Sequence, residues 1–270
     1  MKPESVPASL ETVLREVGSA VVAYSGGVDS TYLAWAANEV LGSQSLAVTA
    51  DSASLPRAEL DEALRVAEKA GFPVEVVRTD EFERDAYLRN APDRCFHCKE
   101  ALFDRLFPLA HARGFAHVCL GTVTDDLGDV RPGLESARRR GARQPLLEAG
   151  LSKADVRSLA RSTGLPVWNK PQAACLSSRI PHGTRVTLEA LQRVERAEAA
   201  IRDLGFSLVR VRHHDDDARV EVGSDELGRL DDGPLRERVV SAVRAAGYRD
   251  VVIDPRGYRT GGVRLPILER

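Results

Sequence analysis

The stretch Ser19-Ala20-Val21-Val22-Ala23-Tyr24-Ser25-Gly26-Gly27-Val28-Asp29-Ser30 decides how the rest of the chain is read. Ser19 to Tyr24 is a short, largely apolar run of the kind buried in a sheet, and Thr31 to Leu41 has the composition of a helix. Between them, Gly26 and Gly27 allow backbone angles closed to other residues and leave room for a phosphate to approach the main chain. The N–H groups that open the following helix, aided by its dipole, then suit a pyrophosphate. Ser25 and Ser30 add hydroxyl donors on either side of Val28, and Asp29 is placed to hold the magnesium that accompanies ATP phosphates. The plain alternative is a Gly-Gly turn with Asp or Ser as helix N-cap. All five specified residues coincide by chance in a chain this long only about once in a thousand or fewer. No G-x-x-x-x-G-K-[ST] motif occurs, so this is not a Walker loop.

Working outward, strands are expected at Ser45 to Ala50, Pro73 to Val77 and His117 to Leu120. Helices are expected near Pro56 to Ala70, Lys99 to Arg113, Leu134 to Arg140 and Ser152 to Thr163. Strands alternating with helices predict an α/β fold with a parallel sheet covered on both faces. Residues 89–98 break the pattern and read as a loop, as do residues 168–187 with their two prolines. Beyond them a helix (Leu188 to Leu204), strands at Ser207 to Arg212 and Ala218 to Val222, a helix (Pro234 to Ala246) and a strand (Asp250 to Ile253) read as a small α+β unit. The expected domains are therefore 1–168, which binds nucleotide, 169–187, a loop carrying Cys175, and 188–270, for substrate and oligomerisation.

The 270 residues carry 38 Lys and Arg against 40 Asp and Glu, so no global field draws the protein onto polyanions, and a nucleic acid partner has no support. No stretch approaches the roughly 18 apolar residues of a membrane span, and no signal-peptide pattern opens the chain, so no membrane partner and a cytoplasmic location are expected. Of the four cysteines, Cys95 and Cys98 form a C-x-x-C, Cys175 lies in the irregular segment and Cys119 sits in an apolar strand as a small core residue. Three thiolates leave one position of a [4Fe-4S] cluster free for an exogenous group. A zinc site completed by His97, His182 or Cys119, and a simple redox pair, are the alternatives.

The phosphate loop resembles that of the PP-loop ATP pyrophosphatases, which cleave ATP between the α and β phosphates and pass AMP to a substrate oxygen. The resemblance implies that Ser25 to Ser30 grip pyrophosphate and that Thr49 and Ala50 lie beside the adenosine. A closer resemblance is carried by Asp93-Arg94-Cys95 to Cys98-Lys99, Gly121-Thr122 to Asp125-Asp126, Asp129 to Gly133, Lys170-Pro171 to Cys175-Leu176 and Ser178-Arg179-Ile180. From about Val21 to Val222 these runs are similar to LarE, an ATP-dependent sulfur transferase family acting on pyridinium-3,5-biscarboxylic acid mononucleotide. The resemblance implies adenylation and thiolation of the carboxylates, with Cys175 as sulfur-bearing residue and a [4Fe-4S] cluster on Cys95, Cys98 and Cys175 fed by a sulfide donor. It also implies a homo-hexamer in which Arg212, Glu198 and Glu221 join a phosphate or divalent-metal site. Val123 departs from the family's Gly-Thr-Asn pattern.

Other candidates come from residue chemistry. Arg179 and Arg185 flank Cys175, while Arg210 and Arg212 fall on one face of a strand, as suits a phosphate or carboxylate; their plain reading is a solvated face balanced by Glu221. Asp125, Asp126 and Asp129 follow a strand end, where ligands bind in parallel sheets. Lys170 is a candidate for stabilising the pentavalent phosphorus, or else a surface lysine. Two rival functions share these features: a tRNA thiolase of the same superfamily, and a zinc-stabilised nucleotide-binding module without turnover.

Overall fold

A computed structural model of the chain describes residues 6–128, 132–171 and 174–259. The chain divides into two compact units, Met1–Arg84 with Asp93–Ala173 and Asp85–Pro92 with Ala174–Arg270. In chain order the elements are α1 (Ala8–Val17), β1 (Ala20–Ala23), α2 (Val28–Leu41), β2 (Ser45–Asp51), α3 (Arg57–Ala70) and β3 (Val74–Arg78). The single turn α4 (Asp85–Leu88) follows, then α5 (Arg94–Ala112), β4 (His117–Cys119), α6 (Pro132–Arg139), α7 (Pro145–Glu148) and α8 (Lys153–Ser162). After a 3-10 turn at Leu176–Arg179 come α9 (Leu188–Asp203), β5 (Val209–His214), β6 (Asp217–Val222), α10 (Gly233–Ala245) and β7 (Asp250–Ile253).

The first unit is the expected α/β fold. Its four strands run parallel in the order β3-β2-β1-β4. β1 is buried on both faces, which is why it reads as an unbroken apolar run: Ala20 and Val22 join the core beneath α1, α2 and α3, while Val21 and Ala23 join Phe103 and Leu106 of α5. Because β2 and β4 flank β1, the chain leaves β1 and β4 in opposite directions. Their carboxyl ends therefore border the crevice in which open α/β sheets bind ligands.

The boundary that differs most is α5. Residues 89–98 were expected to be a loop, yet the helix begins at Arg94 and carries Cys95 and Cys98 on its first turn. The first inward-facing position is the buried Arg94 rather than an apolar residue, and the buried apolar series starts only at Ala101. The helical period is therefore silent where the cysteines lie.

In the second unit β5 and β6 form an antiparallel hairpin whose turn passes through Asp215 at φ 56°, and β7 pairs with β6 in parallel. Val209, Val211, Val220 and Val222 pack with Ala197 and Ile201 of α9 and Val239 and Val243 of α10. By strand alternation the opposite face carries Arg210, Arg212, Arg219 and Glu221, and all four are buried. Among the described residues no helix is long and apolar enough to cross a membrane.

Candidate active site

The turn after β1 is closely specified by its residues. Gly26 has φ +71°, and a Cβ there would sit 2.7 Å from the Cβ of Ala63, so glycine is required by conformation and by space alike. Gly27, in ordinary extended backbone rather than the special angles expected of it, is the N-cap of α2, and no side chain caps the opening N–H groups of that helix. Hydroxyls lock the loop: Ser25 N donates to Ser30 Oγ (3.1 Å), Ser30 Oγ donates to the Gly27 carbonyl (3.1 Å), and the two Oγ atoms lie 3.0 Å apart. Tyr24 reaches across to donate its OH to the Ala63 carbonyl (2.8 Å) and meets Phe72 edge-on. Thr49 is buried near the end of β2 and Ala50 half-buried beside it.

Gly121, just past β4, abuts this turn. A Cβ there would lie 2.9 Å from Ser30 N and 3.0 Å from the Asp29 carbonyl carbon, both backbone atoms that cannot swing aside. We expect Gly121→Ala to cost about 1–3 kcal/mol as overpacking. The same strain displaces the α2 terminus, so a urea melt should shift together with a weakened ATP titration; unaltered ATP affinity would contradict this contact.

Asp29 sits on the first turn of α2. One carboxylate oxygen pairs with Lys153 Nζ, while the other, Oδ1, is buried without a hydrogen-bond partner. Burial holds the carboxyl above its ordinary value, against the opposing pull of Lys153. Asp125 accepts from the Lys153 backbone N (2.8 Å) at the start of α8, and Asp126 accepts from Val123 N (3.1 Å). An orphaned carboxylate oxygen beside a phosphate-type turn fits a magnesium ion's oxygen chemistry. Asp129 lies outside the described residues. Lys170 is held between Glu59 (2.7 Å) and Glu62 (2.8 Å) of α3, so its ammonium is already neutralised.

Cys95 is exposed and Cys98 half-exposed on the first turn of α5, three residues apart and hence on one face. Lys99 lies beside both thiols; its burial lowers its pKa and the two sulfurs oppose that. Cys119 is fully buried in β4, and burial pushes its thiol up to about 12, so it takes no part as a thiolate. None of the four cysteines forms a disulfide. Among the described residues no group of three or more His, Cys, Asp and Glu side chains is gathered as a metal-binding set.

Half-exposed Cys175 precedes the 3-10 turn in the second unit. Arg179 staples this segment: Nη1 donates to the Ala174 (2.6 Å) and Cys175 (2.9 Å) carbonyls, while Nε and Nη2 grip Glu198 (2.8 and 3.0 Å). The 85–92 segment adds further ties, with Tyr87 OH 2.6 Å from Ser177 Oγ and Asn90 Nδ2 donating to the Pro181 (2.8 Å) and Thr184 (2.9 Å) carbonyls. Glu198 also takes Arg202 (2.9 Å) and the Val211 N–H (3.1 Å) at the edge of β5, and Glu221 takes Arg212 (2.7 Å) and Arg219 (3.2 Å). Arg185 pairs with Asp85 at the surface (2.8 Å). Arg210 differs: among the described residues it has no carboxylate within ion-pair distance, Glu198 acting on it only from farther off, and it donates to the Val209 carbonyl (2.8 Å) and lies over the Tyr258 ring.

No protein-family model matches the chain. The pyridinium-3,5-bisthiocarboxylic acid mononucleotide synthase of Lactiplantibacillus plantarum is 38% identical over 255 residues, which is 94% of this chain and 92% of that protein. The chain belongs to the LarE family. An uncharacterized protein of Synechocystis is 42% identical over 258 residues, 96% of each chain. A GMP synthase of Aeropyrum pernix is 28% identical over 218 residues, covering 72% of this chain and 41% of that protein, in accord with the wider PP-loop superfamily.

In this LarE family member the structure accounts for one departure in the sequence, at Val123, and adds one residue, Lys153. Val123, standing where the family pattern has asparagine, is 1% exposed with its side chain in the apolar core, so the loop is held there by its backbone N–H on Asp126. Lys153, which reaches Asp29, belongs to no motif in the sequence, although its position carries a signal. A cation at the first residue of a helix opposes the helix dipole unless an anion compensates it.

Proposed function

We propose that this LarE family member adenylates the carboxylates of pyridinium-3,5-biscarboxylic acid mononucleotide with ATP and replaces the activated oxygen by sulfur. The observation that carries the reading is the Ser25–Ser30 turn, with its uncapped helix start and the orphaned oxygen of Asp29 beside it. The curated relative is named for the thiolated form of this nucleotide. A substrate carboxylate oxygen attacks the α-phosphorus, and the bond to the β-phosphate oxygen breaks to release pyrophosphate into the turn. A sulfur nucleophile then attacks the acyl carbon, AMP leaves, and a thiocarboxylate forms.

Asp29 would hold the magnesium ion, with Asp125, which accepts from the backbone N–H of the lysine that Asp29 pairs with, as a further candidate, and the α2 N–H groups would hold the departing phosphates. Lys170 would reach the reacting phosphorus only by leaving Glu59 and Glu62. Among the described residues of the second unit four buried arginines, Arg179, Arg210, Arg212 and Arg219, stand against three buried carboxylates, Glu198, Glu221 and Asp254. A buried guanidinium without a countercharge is costly unless an anion completes it, which supports Arg210, with Arg212 alongside, as the seat of the substrate phosphate. Glu198 and Glu221 are engaged by guanidiniums, so in our reading they organise arginines, and a divalent ion there would have to displace them.

Thiols at Cys95, Cys98 and Cys175, none of them in a disulfide, suit a [4Fe-4S] cluster, which when bound would supply an open iron position for hydrosulfide. Cys95 and Cys98 would be presented as a pair by the first turn of α5, and the Arg179 staple would fix the backbone that presents Cys175. Purified anaerobically, the protein is expected to be brown and to contain iron and acid-labile sulfide in near-equal amounts. A colourless, zinc-containing sample with full thiolation activity would remove the cluster. The adenylation itself is tested by pyrophosphate release that requires ATP and the mononucleotide together; a protein that binds ATP but releases none is a binding module, not this enzyme.

A further inference from the structure

The segment after β7 is shaped to return one aromatic ring to Arg210. Gly257 has φ +66°, and a Cβ there would meet the Val222 carbonyl oxygen at 2.9 Å, so the turn admits only glycine. That same carbonyl accepts the Tyr258 N–H (2.8 Å), while Gly257 N donates to the Asp254 carbonyl (3.1 Å). Asp254 is buried; Arg256 N donates to its Oδ1 (2.9 Å), and the Arg256 Nε (3.1 Å) and Arg219 Nε (3.8 Å) lie against its carboxylate. The turn is thus tied to β6 at both ends. Val222 pairs with Val209, the residue before Arg210, so a residue bonded to Val222 is delivered next to the arginine. The guanidinium carbon of Arg210 lies 5.3 Å from the Tyr258 ring centroid.

We propose that Tyr258 is a positioning residue for substrate recognition: its ring face orients the Arg210 guanidinium in place of a carboxylate, leaving the planar fork able to take a phosphate in bidentate fashion. The inference rests on the reading of Arg210 as the phosphate seat. A carboxylate partner would satisfy the same orienting need but would neutralise the guanidinium and compete with the anion; an aromatic face holds a cation without doing either. Arg179 and Arg212 have taken the carboxylate solution and Arg210 the aromatic one.

The test is isothermal titration of the full chain with two probes, nicotinic acid mononucleotide and ATP. Tyr258 is only half-buried, so its truncation leaves the core intact. Tyr258→Leu is expected to weaken mononucleotide binding by about five- to thirty-fold, the scale of a partly desolvated cation–aromatic contact, with ATP affinity unaltered. Tyr258→Phe, which keeps the ring face and loses only the hydroxyl, is expected to restore it. Unweakened binding by Tyr258→Leu, or failure of Phe to restore it, overturns the inference. Arg210→Ala separates the two layers: if it weakens the mononucleotide and Tyr258→Leu does not, the aromatic role alone falls. If Arg210→Ala leaves binding intact, the phosphate seat falls and this inference with it.

Discussion

Replacing Asp29 by asparagine is expected to lower pyrophosphate release by about a hundred- to a thousand-fold, on the scale of removing one preorganised electrostatic contact to a transition state, without lowering the melting temperature. The two halves of this expectation share one cause. Asp29 is a carboxylate kept partly from water with one oxygen unbonded, and burial outweighs Lys153 in setting its pKa, which lies above the unfolded value. A raised carboxyl pKa contributes stability that is present below the unfolded pKa and lost as pH rises through the folded one. At neutral pH the ionised group therefore works against folding, and the amide lacks that cost while it also lacks the charge that a magnesium ion needs. A scanning melt beside a pyrophosphate assay checks both. A variant that melts earlier while keeping wild-type turnover would mean that Asp29 is a structural partner of Lys153 and nothing more.

Replacing Cys175 by alanine is expected to abolish thiocarboxylate formation, by at least about a thousand-fold as for removal of a principal reacting group, while AMP transfer and pyrophosphate release persist. The separation follows from where the residues lie in the chain. The phosphate turn, Asp29 and Gly121 belong to the first compact unit and Cys175 to the second. Among the described residues Cys175 belongs to no apolar core cluster of its unit, so truncating its side chain leaves the packed interior alone, and the Arg179 staple uses its carbonyl rather than its sulfur. Unchanged thiolation in this variant would defeat the assignment of the sulfur-bearing residue. Loss of pyrophosphate release as well would mean that the thiol also serves activation.

The parallel sheet and the phosphate turn were legible because each depends on local signals. β1 is apolar on both faces, and Gly26 has no cheap substitute at its positive φ against Ala63, whereas Gly27, in ordinary extended backbone with only the Ser25 Oγ at 3.5 Å from an added Cβ, does not need the conformational freedom expected of it. The onset of α5 was not legible, since Arg94 fills the position where an apolar residue would have announced the helix. Arg179 illustrates a different limit. A buried arginine and a surface arginine look alike in sequence, and only the fold reveals that Arg179 ties the Cys175 backbone to Glu198. Lys170 was legible as a cation but not as one already held by Glu59 and Glu62, more than a hundred residues earlier in the chain. Residues 85–92 likewise belong with the second unit through Asn90, whose amide donates to carbonyls some ninety residues away. Such pairings follow from chain topology, which composition and periodicity do not encode.

The central claim is that ATP is cleaved to activate a carboxylate oxygen that sulfur then replaces. It is tested most directly by mass spectrometry of the nucleotides formed when anaerobic protein meets ATP, magnesium, sulfide and pyridinium-3,5-biscarboxylic acid mononucleotide. The account predicts AMP and the mononucleotide with carboxylate oxygen exchanged for sulfur. Formation of ADP, or recovery of the mononucleotide with both carboxylates intact while ATP is consumed, would contradict it.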